Sequence, residues 1–381
     1  MSFSQKVIRF LFCAQLVFLV LFSSCVSKAN SVSLNLEFNV AVQLLLLLNF
    51  IFQIRLFPKL KMSILILVFT FFSSFANGFV GLRLGIFLNF LTFSSIEIAL
   101  ISSTFDNFKR FFQIYFFSNA GIIILSIVLV LLGYNTQPFT GMYMAQKIAG
   151  IPIQIWGLFS DKNIFGYTLM LLFLCILLLP NFKHKKLFLA MSFIFIVLSG
   201  NRSGLLTVSI TLVFYFLLKP NYFLAKRISM LVKVIFFLVL LLSLYSVSPI
   251  STRGFESNDR QALYSVAFSY IQQHFWFGIG RALIVDGEMI HTHNLYLQVL
   301  AEEGFFCMLI YISLFLKVLI RGAFSIKVLC FSVFIFTIFN PALVPGQLFS
   351  VTVVILVGRF IDELRLSSKS DLGIFIIDKP T

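Results

Sequence analysis

Two imidazoles and a carboxamide stand together at His291, His293 and Asn294, where a polar loop runs into the apolar stretch 295–304 (LYLQVLAEEG); half of the chain's four histidines fall within three positions. A neutral histidine, with an ordinary pKa of about 6.5, accepts a proton from a hydroxyl near neutral pH. A His-x-His pair is also a fragment of a zinc site. No confident third ligand and no helical His-Glu-x-x-His accompanies it here, so no metal is expected. Ordinary interfacial histidines are the remaining reading. Arginines offer the complementary chemistry. Arg202 lies in Ser199-Gly200-Asn201-Arg202-Ser203-Gly204, between two apolar runs with hardly any loop, and Arg260 and Arg281 lie in the polar segment before the histidines. A guanidinium fork suits phosphate oxygens, although a lone arginine at a helix end also serves as an interfacial anchor. Arginines nearby would lower a histidine's pKa and keep it a neutral base, and on a leaving diphosphate they would stabilise developing charge. These parts together suggest group transfer from a lipid diphosphate to a hydroxyl. No nucleotide-binding P-loop or kinase signature appears, and no cofactor is expected.

The elements that must position these residues are apolar. The chain has 381 residues, 60% hydrophobic and 11% charged, with a mean hydropathy of +1.02. A soluble domain could not cover its core with so little polar surface. Apolar runs recur near 7–26, 39–54, 62–80, 84–103, 112–133, 164–180, 187–200, 204–218, 228–248, 304–320, 328–343 and 347–361. The expected fold class is all-α, a polytopic transmembrane bundle of about twelve spans. With both termini in the cytoplasm, only Lys28, Arg83, Lys147, Lys162, Arg202, Arg253, Arg260 and Arg281 of the 29 Lys and Arg fall on the far face, leaving 21 on the cytoplasmic one. That asymmetry follows the positive-inside rule, so the net charge of +15 reads as topology and not as a nucleic-acid patch.

The five cysteines are scattered, with no disulfide or zinc spacing. Lys6 and Arg9, an apolar run, and Phe22-Ser23-Ser24-Cys25 loosely resemble a lipoprotein signal; a first span retained as an anchor is preferred. Glu97 is the one acidic residue at depth in the first five spans, read either as functional or as an interhelical contact. Asp161 and Asn163, at the end of loop 134–163, are read as helix caps or as lining for a polar cavity. From Asp259 to Phe277, Leu263, Val266, Ala267, Tyr270 and Ile271 recur at helical spacing, which predicts an amphipathic helix lying on the membrane and ending at Gly278-Ile279-Gly280. Glu302 and Glu303, at the entrance to the tenth span, are read as solvated interface residues or as orienting a base.

Three blocks resemble the O-antigen ligase and polysaccharide polymerase superfamily of bacterial inner-membrane glycosyltransferases. They are 198–205 (LSGNRSGL), 259–280 (DRQALYSVAFSYIQQHFWFGIG) and 290–315 (IHTHNLYLQVLAEEGFFCMLIYISLF), in the family's order. Asp161-Lys162-Asn163 resembles a weaker upstream block, and the likeness covers roughly residues 160–320. It implies metal-independent, inverting transfer of a glycan from undecaprenyl diphosphate at the periplasmic face of the inner (cytoplasmic) membrane. Arg202 and Arg260 would be diphosphate ligands. The catalytic base would fall within His291-Thr292-His293, with His293 preferred because Asn294 follows it. Asn294, Arg281 and Glu303 would support the site.

The expected organisation is a transmembrane scaffold at 1–133, a periplasmic loop at 134–163, helices carrying Arg202 at 164–250, a periplasmic catalytic loop at 251–303, and C-terminal helices with a cytoplasmic tail at 304–381. The short polar loop favours a polymerase joining lipid-linked repeat units of O-antigen or a related surface polysaccharide. A ligase acting on lipid A-core is the alternative, and a transporter or flippase is the alternative from another class. Expected partners are the lipid-linked donor, a saccharide acceptor (a repeat unit or lipid A-core), membrane lipids and a candidate chain-length regulator protein, with no nucleic acid.

Overall fold

The computed structural model describes residues 61–77, 108–132, 146–148, 151–153, 162–180, 182–218, 258–280, 294–339 and 349–367, with isolated positions between them. The helices are α1 (Lys61–Ala76), α2 (Phe108–Leu131), α3 (Lys162–Leu178), α4 (Lys185–Leu198), α5 (Arg202–Leu218), α6 (Asn258–His274), α7 (Leu295–Glu302), α8 (Phe305–Arg321), α9 (Phe324–Phe339) and α10 (Phe349–Ser367). Eight of them coincide with expected apolar runs, and α6 with the amphipathic helix expected in the polar segment; α7 occupies the apolar stretch after the histidines. The runs at 7–26, 39–54 and 228–248 lie outside the described residues, as does most of 84–103. Among the described residues, no helix is long and apolar enough to cross a membrane.

Two antiparallel hairpins interrupt the helices, which the all-α expectation did not include. Strands β1 (Gln146–Ile148) and β2 (Ile151–Ile153) pair with Ile148 opposite Ile151, and β3 (Ile284–Val285) and β4 (Glu288–Met289) pair with Val285 opposite Glu288. Asp-Gly between apolar residues is a strong hairpin signal, so the second was open to sequence reading.

Helices α3 and α9 form the centre. Helix α3 packs against α2, α4, α5, α9 and α10, and α9 against α3, α5, α7, α8 and α10. Both are apolar around most of their circumference, as a helix enclosed by others requires. Phe165, Met170, Leu174, Val328, Val333 and Phe336 are all fully buried. Tyr167 packs on Phe336, joining the start of α3 to the end of α9, and Tyr215 packs on Phe324, joining the end of α5 to the start of α9.

The bundle therefore has two distinct ends. At one, charged side chains cap helix termini in the sense the helix dipole favours, acids on N–H groups and bases on carbonyls. Buried Glu97 accepts from the N–H groups of Met62 (3.1 Å) and Ser63 (2.9 Å) and from Ser63 Oγ (2.6 Å) at the start of α1. Its other partner is Lys317 near the end of α8, at 3.5 Å. Of the two readings of Glu97, the interhelical contact is the one observed. Asp362 accepts from the Ser325 and Ile326 N–H groups at the start of α9. Lys185 and Arg365 donate to the Leu179 and Leu178 carbonyls at the end of α3. Lys61, Lys186, Arg321 and Lys327 belong to the same end of these helices. The other end carries α6, α7, the β3–β4 hairpin, and the start of α5 with Arg202.

Candidate functional site

Block one makes the turn between α4 and α5. Ser199 closes α4, Gly200 follows with φ 63°, and buried Asn201 caps α5 by accepting from the Gly204 N–H at 3.0 Å. The Asn201 amide also lies against Gly166 of α3, where a Cβ would collide with it. Glycines at 166 and 204 thus let α3 and α5 approach across a buried polar cap. This geometry leaves Arg202 exposed at the first helical position of α5. The positive end of the helix dipole favours an anion there, the same preference the guanidinium has.

Blocks two and three are bound to each other. The chain leaving α6 turns at Gly278 and runs beside the junction of α7 and α8. Ile279 donates to the Ala301 carbonyl (3.0 Å), Gly280 to that of Glu302 (2.9 Å), and Phe305 to that of Phe275 (2.9 Å). Gly278 (φ 63°) and Gly304 (φ 87°) are in the left-handed region, and a Cβ on either would meet the opposite backbone at about 2.5 Å. Both features demand glycine. The Gly-x-Gly of one block and the Glu-Gly of the next are two halves of one backbone clamp. Helix α1 supports it: Asn77 Nδ2 donates to the Gly278 carbonyl (2.9 Å) and Ser73 Oγ to that of Phe277. Phe306 stacks between Phe69 and Trp276, tying the start of α8 to α1.

The apolar stripe of α6 packs against α7. Ala267 and Ile271 form a small second core with Ile279, Leu283 and Ala301, edged by Tyr270, Leu297 and Leu300. The predicted inward face was right. Its partner is protein because the clamp brings α7 alongside.

Asn294 caps α7, its side chain accepting from the Leu297 N–H at 3.0 Å. Thr292, between the two histidines, is fully buried, and its hydroxyl donates to the Asn294 carbonyl at 2.8 Å. Tyr296, in the first turn of α7, hydrogen-bonds to Thr337 Oγ1 of α9 at 3.0 Å. The Thr337 proton is directed at the Phe334 carbonyl, so the phenol is the donor. Burial pushes the Tyr296 phenol above its ordinary range, which keeps that proton in place. The residues beside the histidine block are thereby fixed to α7 and to the bundle centre.

Of the residues singled out in the sequence, His291, His293, Arg281 and Asp161 lie outside the described residues, and Arg260 is described as the third residue of α6 by its backbone alone. Arg202 and Asn294 sit at the same end of the bundle, linked through α3 and α9 by the Asn201–Gly166, Tyr167–Phe336 and Tyr296–Thr337 contacts. Glu303 is the C-cap residue of α7, donating its N–H to the Val299 carbonyl at 2.8 Å. Its neighbour Glu302 makes the side-chain contact that the sequence reading did not assign: Oε1 accepts from the Leu283 N–H at 2.9 Å and from Gln298 Nε2 at 3.2 Å.

Among known protein families, the O-antigen ligase family matches residues 187–312, the stretch from the start of α4 through α6, the β3–β4 hairpin and α7 into α8. No curated protein matches the chain. The matched stretch contains all of blocks one and two and most of block three, and it leaves Asp161-Lys162-Asn163 outside. The clamp, the Asn294 cap and the Arg202 turn all lie inside the stretch, residues 187–312, that is similar to the O-antigen ligase family.

Proposed function

We propose that this protein transfers a glycan from undecaprenyl diphosphate to a saccharide hydroxyl at the periplasmic face of the bacterial inner membrane, and that the acceptor is another lipid-linked repeat unit. The observation that carries the reading is the meeting of the three family blocks at one end of the bundle: two are joined by a backbone clamp, and the third presents exposed Arg202 at a helix N-terminus. Residues far apart in sequence converge there, as a site handling two substrates requires.

In the proposed reaction the acceptor oxygen attacks the anomeric carbon as the bond from that carbon to the diphosphate oxygen breaks, inverting the centre. The hydroxyl proton passes to His293, with His291 as the alternative base. The diphosphate leaves as an anion on Arg202 and Arg260, whose guanidiniums stabilise the charge as it develops. Asn294, Arg281 and Glu303 support these groups, and no metal or cofactor takes part. Membrane embedding of the bundle is part of the proposal. It is supported by the outward apolar side chains of α1, α2 and α4, including Phe71, Phe75, Ile124, Leu131 and Leu187, and by the gathering of basic residues at the opposite end.

Substituting His293→Ala abolishes transfer while insertion stays normal, and wild-type transfer by that variant refutes the base assignment. Gene deletion decides the acceptor. Loss of long chains with one repeat still attached to the core supports a polymerase. Bare core with accumulated lipid-linked polymer makes the protein a ligase. Purified protein in liposomes that moves glycolipid without forming glycosidic bonds overturns the enzymatic reading in favour of a flippase.

A further inference from the structure

We infer that Glu302 is a positioning residue for this reaction: it holds the chain on both sides of Arg281 and fixes where the hairpin leading to the histidine block begins. The inference rests on the glycosyl-transfer reading above. Glu302 grips the incoming chain twice. Its backbone carbonyl accepts from the Gly280 N–H at 2.9 Å, and its carboxylate accepts from the Leu283 N–H at 2.9 Å. Arg281 and Ala282 are the only residues between those two points. Leu283 is in turn buried in the small core shared by α6 and α7, so the second grip is seated in packed side chains.

Helix α7 joins this hold to the other end of the segment. At its N-terminus Asn294 caps the helix and buried Thr292 is tied to the Asn294 carbonyl. At its C-terminus Glu302 holds residues 280 and 283. Eight residues of helix span about 12 Å, so one short rigid strut holds Gly280 and Leu283 at one end and Thr292 and Asn294 at the other. Tyr296 and Thr337 then fix the strut to α9.

The geometry separates positioning from charge. A single oxygen, Oε1, accepts both the Leu283 N–H and the Gln298 amide. Glutamine at this position offers the same carbonyl oxygen without the charge, whereas alanine offers nothing. A residue acting as proton carrier or counter-charge would fail in both variants.

The test uses full-length protein in proteoliposomes with an undecaprenyl-diphosphate-linked oligosaccharide, comparing wild type with Glu302→Gln and Glu302→Ala. Amide exchange at Leu283 is followed alongside. Glu302→Ala is expected to speed Leu283 exchange and to lower the rate at saturating donor by about 100-fold, the scale of a misplacement near 1 Å. Its pH profile keeps its shape, and Glu302→Gln recovers most of the rate. The inference is overturned if Gln is as inactive as Ala, if Ala transfers at the wild-type rate, or if Leu283 exchanges no faster in Ala. A wild-type chain that transfers no glycan sinks the functional reading instead, and Leu283 exchange still decides whether Glu302 holds the loop.

Discussion

Gly304→Ala tests the clamp on which the site depends. A Cβ at residue 304 would meet Gly278 N, Phe277 C and Trp276 O, each at 2.5 Å. All three are backbone atoms, so no rotamer change relieves the collision. The left-handed φ of 87° adds about 1–2 kcal/mol for a residue with a side chain. To make room the two segments must separate, giving up the Ile279–Ala301, Gly280–Glu302 and Phe305–Phe275 hydrogen bonds at about 1 kcal/mol each. The local cost is then about 4–5 kcal/mol, which corresponds to opening roughly a thousandfold more often. Hydrogen exchange should show the Ile279 and Gly280 amides accelerating by about that factor, with transfer falling in parallel. Gly121→Ala in α2 is the control. Nothing lies within 4 Å of a Cβ built there, and replacing a mid-helix glycine stabilises by about 0.5–1 kcal/mol. Wild-type exchange and transfer in Gly304→Ala would refute the clamp.

Arg202→Lys should be severely impaired in transfer with expression unchanged, because an ammonium cannot make the two-pronged phosphate contact; full activity would make Arg202 an interface anchor only. Asn294→Ala should cost about 1 kcal/mol through loss of the cap on Leu297, with Asn294→Asp retaining it; equal thermal stability of all three proteins would contradict the cap. Glu97→Ala should destabilise by about 3 kcal/mol, since it strands Lys317 and the Met62 and Ser63 N–H groups. A melting temperature equal to wild type would show that solvent or another group replaces the carboxylate.

Much of the fold was legible because it depends on local pattern. Apolar runs mark eight helices within about six residues of their observed bounds, and the 3.6-residue spacing of Leu263, Val266, Ala267, Tyr270 and Ile271 identifies the inward face of α6. The β3–β4 hairpin had its signal in Asp286-Gly287 and was passed over in a chain otherwise read as helical. Asn294 was conspicuous as a polar residue before an apolar run, yet it was valued for chemistry when the structure uses it as a cap, and Asn201, which was given no role, is a cap as well.

Residue types and their order determine this protein's helical class, the likeness of residues 187–312 to the O-antigen ligase family, and the short list of groups able to bind an anion or take up a proton. Those properties are carried by composition, period and spacing, which are local. Tertiary structure alone decided the partners. It set Glu97 on α1 and Lys317, turned the apolar face of α6 to α7, and joined Gly278 to Gly304 across 26 positions. It also gave the loop contact to Glu302 and left Glu303 as the helix cap. Two adjacent glutamates are equivalent in a sequence. Only the fold shows that Glu302 is the one whose carboxylate meets the Leu283 N–H.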